Sequence, residues 1–490
     1  MSNSSPNPQS EPRRTNRPTT SDVGAGDSAA PASDQIAKHI VIAGGGMVGL
    51  FTAYRLQKLF AKQLKRREVK ITIIDPTSYM TYQSFLPEAG AGSLDPRQIV
   101  VPLRKVLKRV DVITGWVTGI DHEQRAVQVQ PHSGEPYTLN YDELVVAVGS
   151  VSRVLPIPGL EENGIGFKTV EEAIWLRNHV LERLDAAAST GDLEVRRRAL
   201  TFVFVGGGYT GVEALAELED MARDVIRQYY KRLDPSEMRW LLVDAANRIL
   251  PEVGPELGEY GVQELEARGI EVKLETTMTS AVGGHVVLSD GTEVDTDTLV
   301  WTAGVKANPV LADSTLPLTE RGFVRTRPDL RVVGTDEVWA GGDMASVPDL
   351  TADDPKTATL PPNAQNASRQ PNVLARNLWA KHHGRPLKLY RHKGIGSVAT
   401  LGLHQGVANP YGVKLRGLPA WFMHRSYHVM KMPTFNRKVR ILLNWSLALF
   451  FRREPVSLGA FARPREEFQR SMRPPRQRDP NDSRVPAGRG

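Results

Sequence analysis

VFVGGGYTGVE, residues 203–213, repeats a turn that HIVIAGGGMVGL has already made at residues 39–50. In each copy an apolar run reads as a buried strand, a glycine-rich turn follows, and a long periodic stretch opens a helix. IVIA leads into Gly44, Gly46 and Gly49, and MVGLFTAYRLQKLFAKQL continues as the helix. Spaced as G-x-G-x-x-G at a strand-to-helix junction, glycine permits the tight turn, the close approach of backbone to a pyrophosphate and close helix packing. The first helical N–H groups then face the phosphate. Downstream, VKITIID ends at Asp75, placed to accept hydrogen bonds from an adenosine ribose. The second copy runs LTFVFV, then Gly206, Gly208 and Gly211, then the helix GVEALAELEDMARDVIRQYYKRL, then MRWLLVD ending at Asp244. The interval from Gly206 to Asp244 exceeds the usual one, and the long helix accounts for the excess. An acid there accepts from a 2'-hydroxyl and repels a 2'-phosphate, so this turn should take NAD rather than NADP.

Three further segments frame the two turns. YDELVVAVGS at 141–150 and TLVWTAGV at 298–305 each read as a buried strand leaving through a small or glycine-rich exit, at Gly304 in the second. Such exits suit a chain that crosses between domains beside a ligand. EVWAGGDMASVP at 337–348 places Gly342 and Asp343 after a strand, where the Asp can hold the ribityl or pyrophosphate part of a flavin dinucleotide. The expected fold is α/β, with two Rossmann-like dinucleotide-binding domains and a small C-terminal membrane-associating module.

Length and composition agree with that plan. A chain of 490 residues divides into roughly three units, and 40% hydrophobic with 24% charged residues describes a core-forming protein. No stretch reaches the roughly 18 consecutive apolar residues of a spanning helix. The absence of cysteine excludes disulfides, thiolate metal sites and any dithiol electron shuttle. Residues 1–37, polar and rich in Ser, Pro and Asn, carry no secretory signal and should be a disordered tail on a cytoplasmic protein.

The net charge of +7 is concentrated at one end. Residues 414–453 hold nine Lys or Arg and no acid, and 463–490, read as a second disordered tail, hold eight Arg against four acids. Within FNRKVRILLNWSLALFF, Phe435, Val439, Leu442, Leu443, Leu449 and Phe450 form one helical stripe, with Arg437 and Lys438 off it. The preceding helix adds Trp421, Phe422, Tyr427 and Met430 among His424, Arg425, His428 and Lys431. Apolar and aromatic residues with cations and no carboxylate suit a helix lying on anionic lipid. His404, His424 and His428 lack metal-ligand spacing and read as surface or packing residues, so no metal is expected.

Taken together, the chain from about His39 to Phe461 resembles the type II NADH dehydrogenases, single-subunit NADH:quinone oxidoreductases of the two-dinucleotide-fold flavoproteins. The likeness is carried by YMTYQSFLPEAGAGSLDPRQIVVPLRKVL (79–107), GGGYTGVEALAEL (206–218), LPPNAQNASRQ (360–370), GSVATLG (396–402) and the basic, aromatic C-terminus. The resemblance implies non-covalent FAD, hydride from NADH, and reduction of a membrane quinone without proton pumping. It implies FAD contacts at Gly44, Gly46, Gly49, Asp75 and Asp343, and NADH contacts at Gly206, Gly208, Gly211 and Asp244. Glu213 matches a glutamate near the nicotinamide, and Ala364 with Gln365 match a pair at the flavin and quinone end. Departures gather around the quinone pocket: Arg369, Gln370 and Pro371 replace the end of AQxxxQQG, Pro87 and then Glu88 replace a Tyr segment, and Ile395 replaces a Lys, with Lys393 two residues off.

The implied organisation is an FAD domain at 38–160 and 315–385, an NAD domain at 161–314, and a quinone and membrane module at 386–462. The implied assembly is a homodimer on the cytoplasmic face of the membrane, with no nucleic acid bound. Pro361 and Pro362 suit a helix start whose N–H groups, at about Asn363 to Gln365, would face reduced flavin, and Pro371 should kink or break that helix. Glu213 should sit on the first turn of its helix, orienting nicotinamide or relaying a proton, with no other acid-base pair evident. A soluble flavin reductase serving a ferredoxin would share every nucleotide feature but not the basic apolar C-terminus. A flavoprotein of the apoptosis-inducing kind would instead switch an interaction on NADH binding.

Overall fold

The computed structural model describes residues 38–354, 358–392, 394–448, 450–451 and 456–457. Both expected tails, Leu449 and Lys393 lie outside the described residues.

Two sheets carry the two turns. The first has seven strands in the order Val338–Ala340, Glu143–Val146, His39–Ala43, Lys70–Asp75, Asp111–Asp121, Ala126–Pro131 and Tyr137–Asn140. Its first five strands are parallel and the last two add antiparallel pairs. The second has five parallel strands in the order Gly164–Ile165, Thr298–Trp301, Thr201–Val205, Arg239–Val243 and Ile270–Lys273. Thr201–Val205 and Thr298–Trp301 are buried at every position, as a parallel strand covered on both faces requires.

Helix α1 (Met47–Leu59) leaves the first turn and packs along the helix Ala364–His382; short α2 (Leu86–Gly90) packs on α3 (Val170–Ser189) and α4 (Tyr209–Tyr229). Helix α4 leaves the second turn, and α5 (Pro255–Ala267) supports strand Ile270–Lys273. Helix α6 (Ala364–His382) continues as one helix through Pro371. The expected break there is corrected: Asn366, Ala367, Gln370, Pro371 and Leu374 form the buried face of α6, so packing on α1 holds the helix across the missing N–H.

The two strand exits do meet. Ser150–Ser152 and Val305–Ala307 pair as an antiparallel ribbon, which sets the two connections between the sheets side by side. A three-stranded antiparallel sheet of Val398–Thr400, Gly406–Ala408 and Leu415–Arg416 follows, with α7 (Gly417–Lys431) lying across it. The last described helix is α8 (Phe435–Ala448). Only Ile441 of α8 is fully buried; Phe435 is 81% exposed, and Leu442, Leu443, Leu447 and Phe450 also face solvent. Phe422 and Met430 of α7 add to this exposed apolar surface.

Candidate functional site

Each turn is built by its own strand-end acid. Gly44 donates its N–H to the Ile74 carbonyl at 2.8 Å, and Asp75 Oδ2 accepts from Gly45 N–H at 2.6 Å. Asp75 Oδ1 accepts from both Thr77 N–H and Thr77 Oγ1–H at 2.7 Å. In the second turn Asp244 accepts from Gly207 N–H, and from Ala246 N–H at 2.6 Å. These carboxylates therefore close the turns, a role the sequence reading had not given them. Burial raises the Asp75 pKa, and the Thr77 and Gly45 hydrogen bonds pull it back.

Gly44 and Gly206 lie at φ +103° and +123°, where a side chain is strained, and a Cβ on either would strike the neighbouring strand exit. At Gly46 and Gly208 the opposite holds: nothing stands within 4 Å of where a Cβ would lie, and neither helix has a side-chain cap. Two uncapped helix N-termini thus look into open space, the donor set that a pyrophosphate needs. The residues present fit one dinucleotide at each turn.

A cavity of about 750 Å³ joins the predicted positions. Gly206, Gly208, Asp244, Glu213, Gly304, Asp343, Ala364, Gln365 and Pro87 line it. From the first turn only Met47 reaches it; Gly44, Gly46, Gly49, Asp75, Gly342 and Arg369 do not line it, although Ser368 does. Gly211 packs under Gly206 instead. Met423, Tyr427, His428 and Lys431 close one side, a single face of α7 at helical spacing.

The polar groups around this cavity hold one another. Lys168 Nζ donates to Ser150 Oγ at 2.7 Å, and Ser150 Oγ donates to Asp343 Oδ2 at 3.2 Å. Burial lowers the Lys168 pKa against the opposing charges of Asp343 and Glu172. Gly342 N–H donates to Gln370 Oε1 at 2.6 Å, so Gln370 braces the Asp343 turn rather than facing the cavity. Asn363 caps α6 by accepting from Asn366 N–H at 2.9 Å, which puts Pro361 and Pro362 before the cap rather than in the first turn. Gln365 Nε2 donates to the Gly396 carbonyl at 2.5 Å, and Arg369 donates to the Gln365 carbonyl at 3.1 Å.

Glu213 is also corrected. It begins the second turn of α4, is almost fully buried, and accepts from Thr400 N–H at 2.9 Å. Its Oε1 stands 3.2 Å from His424 Nε2. An acid-base pair is therefore present, and His424 is neither a surface group nor mere packing. Burial alone would lower the His424 pKa, but the Glu213 hydrogen bond and the Glu213 and Glu88 charges raise it. His428, one turn on, lies with its ring 4.5 Å from that of His424 and its Nδ1 3.1 Å from the Tyr82 hydroxyl. Burial, with the His424 charge, holds His428 well below its usual pKa and hence neutral. Lys168 and Tyr82 were not singled out from the sequence, and His424, His428 and Lys431 were read there as surface, packing or lipid-facing groups rather than as parts of the site. The four-residue spacing of the two histidines on a helix without acids was the one signal that could have found the pair.

Two sheets built on parallel strands, each with a glycine-rich turn leading into an uncapped helix and set about one cavity, are the architecture of a two-dinucleotide oxidoreductase. Comparison with known proteins agrees: residues 38–370 match the family model of pyridine nucleotide-disulphide oxidoreductases. The chain belongs to that family. It is 30% identical over 456 residues to a type II NADH:quinone oxidoreductase of Mycobacterium tuberculosis, covering 89% of this chain and 94% of that one. It is also 30% identical to a demethylphylloquinone reductase of Synechocystis, over 83% of this chain and 95% of its relative. The NDH2 of Plasmodium falciparum, solved with NADH, superposes with a TM-score of 0.79 at 18% identity, over 86% of this chain and all of that one. The resemblance to type II NADH dehydrogenases holds, and the chain, without cysteine, has no disulphide to use.

Proposed function

We propose that this protein is a non-proton-pumping NADH:quinone oxidoreductase, with FAD at the first turn and NADH at the second. The observation that carries this reading is the single cavity touching the second turn, Met47 at the end of the first, and one face of α7. When bound, FAD supplies a two-electron carrier between nicotinamide and quinone. The chain's part is to hold and orient. Gly44, Gly46 and Gly49 with the α1 N-terminus would seat the FAD pyrophosphate, and Asp75, which keeps that turn closed, would accept from the ribose. Asp343, held through Ser150 and Lys168, and the start of α6 at Ala364 and Gln365 would meet the rest of the flavin. Gly206, Gly208, Gly211 and Asp244 would seat NADH, with Asp244 disfavouring a 2'-phosphate. Nothing stands within 4 Å of where a Cβ on Gly304 would lie, which would leave room for the nucleotides at this strand exit. Glu213 would exchange a proton at the cavity wall, and Pro87, Gln365 and Arg369 would bound the quinone.

The quinone is lipid-soluble, so its entry calls for a membrane at this side. No described helix is long and apolar enough to cross one. The exposed Phe435, Leu442, Leu443 and Phe450, beside Lys438 and Arg440, suit attachment to an anionic surface at the cytoplasmic face. By resemblance the protein would act as a homodimer. The attachment is tested by sedimenting the protein with anionic phospholipid vesicles. Replacing Phe435, Leu442 and Leu443 with Ser removes three side chains, each contributing roughly 1.5–3 kcal/mol when fully buried, so vesicle binding should fall at least about 100-fold. High salt should weaken binding of the wild type. Equal sedimentation of wild type and variant would rule the surface out as the attachment site.

A further inference from the structure

Helix α8 has two faces with different surroundings. Phe435, Leu442, Leu443 and Leu447 point to solvent, whereas Arg437, Ile441, Asn444 and Trp445, spaced as one helical face, meet the protein. That inner face is largely polar. Arg437 donates to the carbonyls of Arg97 at 2.8 Å and Gln98 at 3.1 Å. Asn444 donates to the Ser93 carbonyl at 3.0 Å and accepts from Gln98 Nε2–H at 3.1 Å. Trp445 reaches further in, and its Nε1–H donates to Glu88 Oε2 at 3.1 Å.

Glu88 lies in α2, where every residue is buried, and the two residues before it, Leu86 and Pro87, line the cavity. A carboxyl group in such a place is costly unless it is satisfied. Two side chains of the C-terminal helices satisfy it: Trp445 by its indole N–H, and Arg425, whose Nε stands 3.5 Å from Glu88 Oε1. The Arg425 guanidinium is itself held between the rings of Trp421, at 4.0 Å, and Trp445, at 4.7 Å. Phe85, on the other side of Leu86, sets its fully buried ring edge-on to Trp445 at 5.9 Å and to His428 at 5.8 Å. The short stretch that supplies Leu86 and Pro87 to the wall is therefore fixed on both flanks by α7 and α8. A proline ring leaves Pro87 little backbone freedom of its own, so this wall follows α2 to wherever Glu88 is held.

We propose that Trp445 is a positioning residue for the quinone: through Glu88 and Phe85 it sets where Leu86 and Pro87 stand, so the helix that would rest on lipid also shapes the wall that the quinone meets. This rests on the reading of the cavity as that of a quinone reductase. Packing alone would be served by any ring of that size. The indole N–H instead ends on a carboxyl one residue from the wall.

The test uses the full chain with FAD, comparing wild type, Trp445→Phe, Glu88→Met, the double variant and Asn444→Ala. Trp445→Phe keeps a ring beside Phe85 and Arg425 but loses the donor, and Glu88→Met removes the acceptor from the other end. Asn444→Ala loosens the same helix without taking a bond from residues 82–88. The acceptor is menadione in solution, so that the result does not depend on attachment to lipid. Trp445→Phe should raise the KM for menadione about tenfold and hold kcat within about twofold, because the lost bond shapes the binding wall and touches no reacting atom. Bleaching of the flavin by NADH should persist. Glu88→Met should raise the same KM, and adding Trp445→Phe to it should change it by less than about twofold, since both remove one link. Asn444→Ala should lower the melting temperature and leave the KM within about twofold. An unchanged KM in Trp445→Phe, additive effects in the double variant, or an equal rise in Asn444→Ala would overturn the inference alone. Wild-type protein that reduces ferricyanide but neither menadione nor a quinone in vesicles would overturn the parent reading, and this one with it.

Discussion

Gly211→Ala should abolish useful NADH turnover while leaving FAD on the protein. An added Cβ at Gly211 would stand 1.9 Å from the Gly206 carbonyl oxygen and 2.6 Å from Thr302 Oγ1. Neither neighbour can yield: Gly206 is fixed by its N–H bond to the Val243 carbonyl at 2.8 Å, and Thr302 Oγ1 donates to the Val205 carbonyl at 3.0 Å. The helix must lift off its strand, which turns its N–H groups from the phosphate and carries Glu213 with it. A loss of at least about 100-fold in kcat/KM for NADH, or roughly 2.7 kcal/mol, is expected. The same change in the first turn, Gly49→Ala, puts a Cβ 1.8 Å from the Gly44 carbonyl oxygen and should instead yield protein without flavin. Flavin absorbance of the purified variants and steady-state NADH oxidation separate the two. Flavin loss from Gly211→Ala, or full NADH activity in it, would mean that the turns are not divided between the ligands in this way.

Glu213→Ala should cost both stability and turnover, and Glu213→Gln turnover alone. Removing the carboxylate leaves Thr400 N–H without its acceptor and His424 buried without its counter-charge. Breaking a buried pair costs about 3–5 kcal/mol, and because an imidazole can shed its proton the lower end, about 3 kcal/mol, is expected. Gln keeps an acceptor for Thr400 and a partner for a neutral His424, so its melting temperature should stay close to wild type. It cannot exchange a proton, and quinone turnover should drop about 100-fold while bleaching of flavin by NADH persists. Calorimetry and transient absorbance report the two effects separately. The His424 pair also gives a sign to the pH dependence of folding. Its raised pKa means stability fully present below about pH 6.5 and lost as pH rises through the higher folded value. Glu213→Gln should flatten that slope.

What the sequence made legible were the features that backbone chemistry dictates locally. A strand, three glycines and a helix can make only one kind of turn, and the structure has both. Buried parallel strands read as apolar runs, which is why Glu143–Val146 and Thr298–Trp301 could be placed from composition alone. Pairing over long distances in the chain was not legible. Glu213 and His424 are brought together by the sheet at 398–416 under α7, and no local pattern announces that partnership. Pro371 misled because propensity is a local rule, and here the buried face of α6 overrides it. Gln370 and the two strand-end acids, read from the sequence only as neighbours of ligands or of the quinone pocket, also hold turns. A polar side chain near a site serves the backbone as often as the ligand. The stripe on α8 was legible as a stripe; Phe435, Leu442, Leu443 and Phe450 face out as expected, while Val439 is half-buried and Leu449 lies outside the described residues.

Transient absorbance of the bound flavin, in oxygen-free solution, tests the electron route most directly. Full-length protein isolated with FAD should lose its oxidised flavin spectrum on mixing with NADH, and recover it when a lipid-soluble quinone in anionic vesicles follows. Protein that retains no FAD, or flavin that NADH reduces and no quinone reoxidises, would contradict the account.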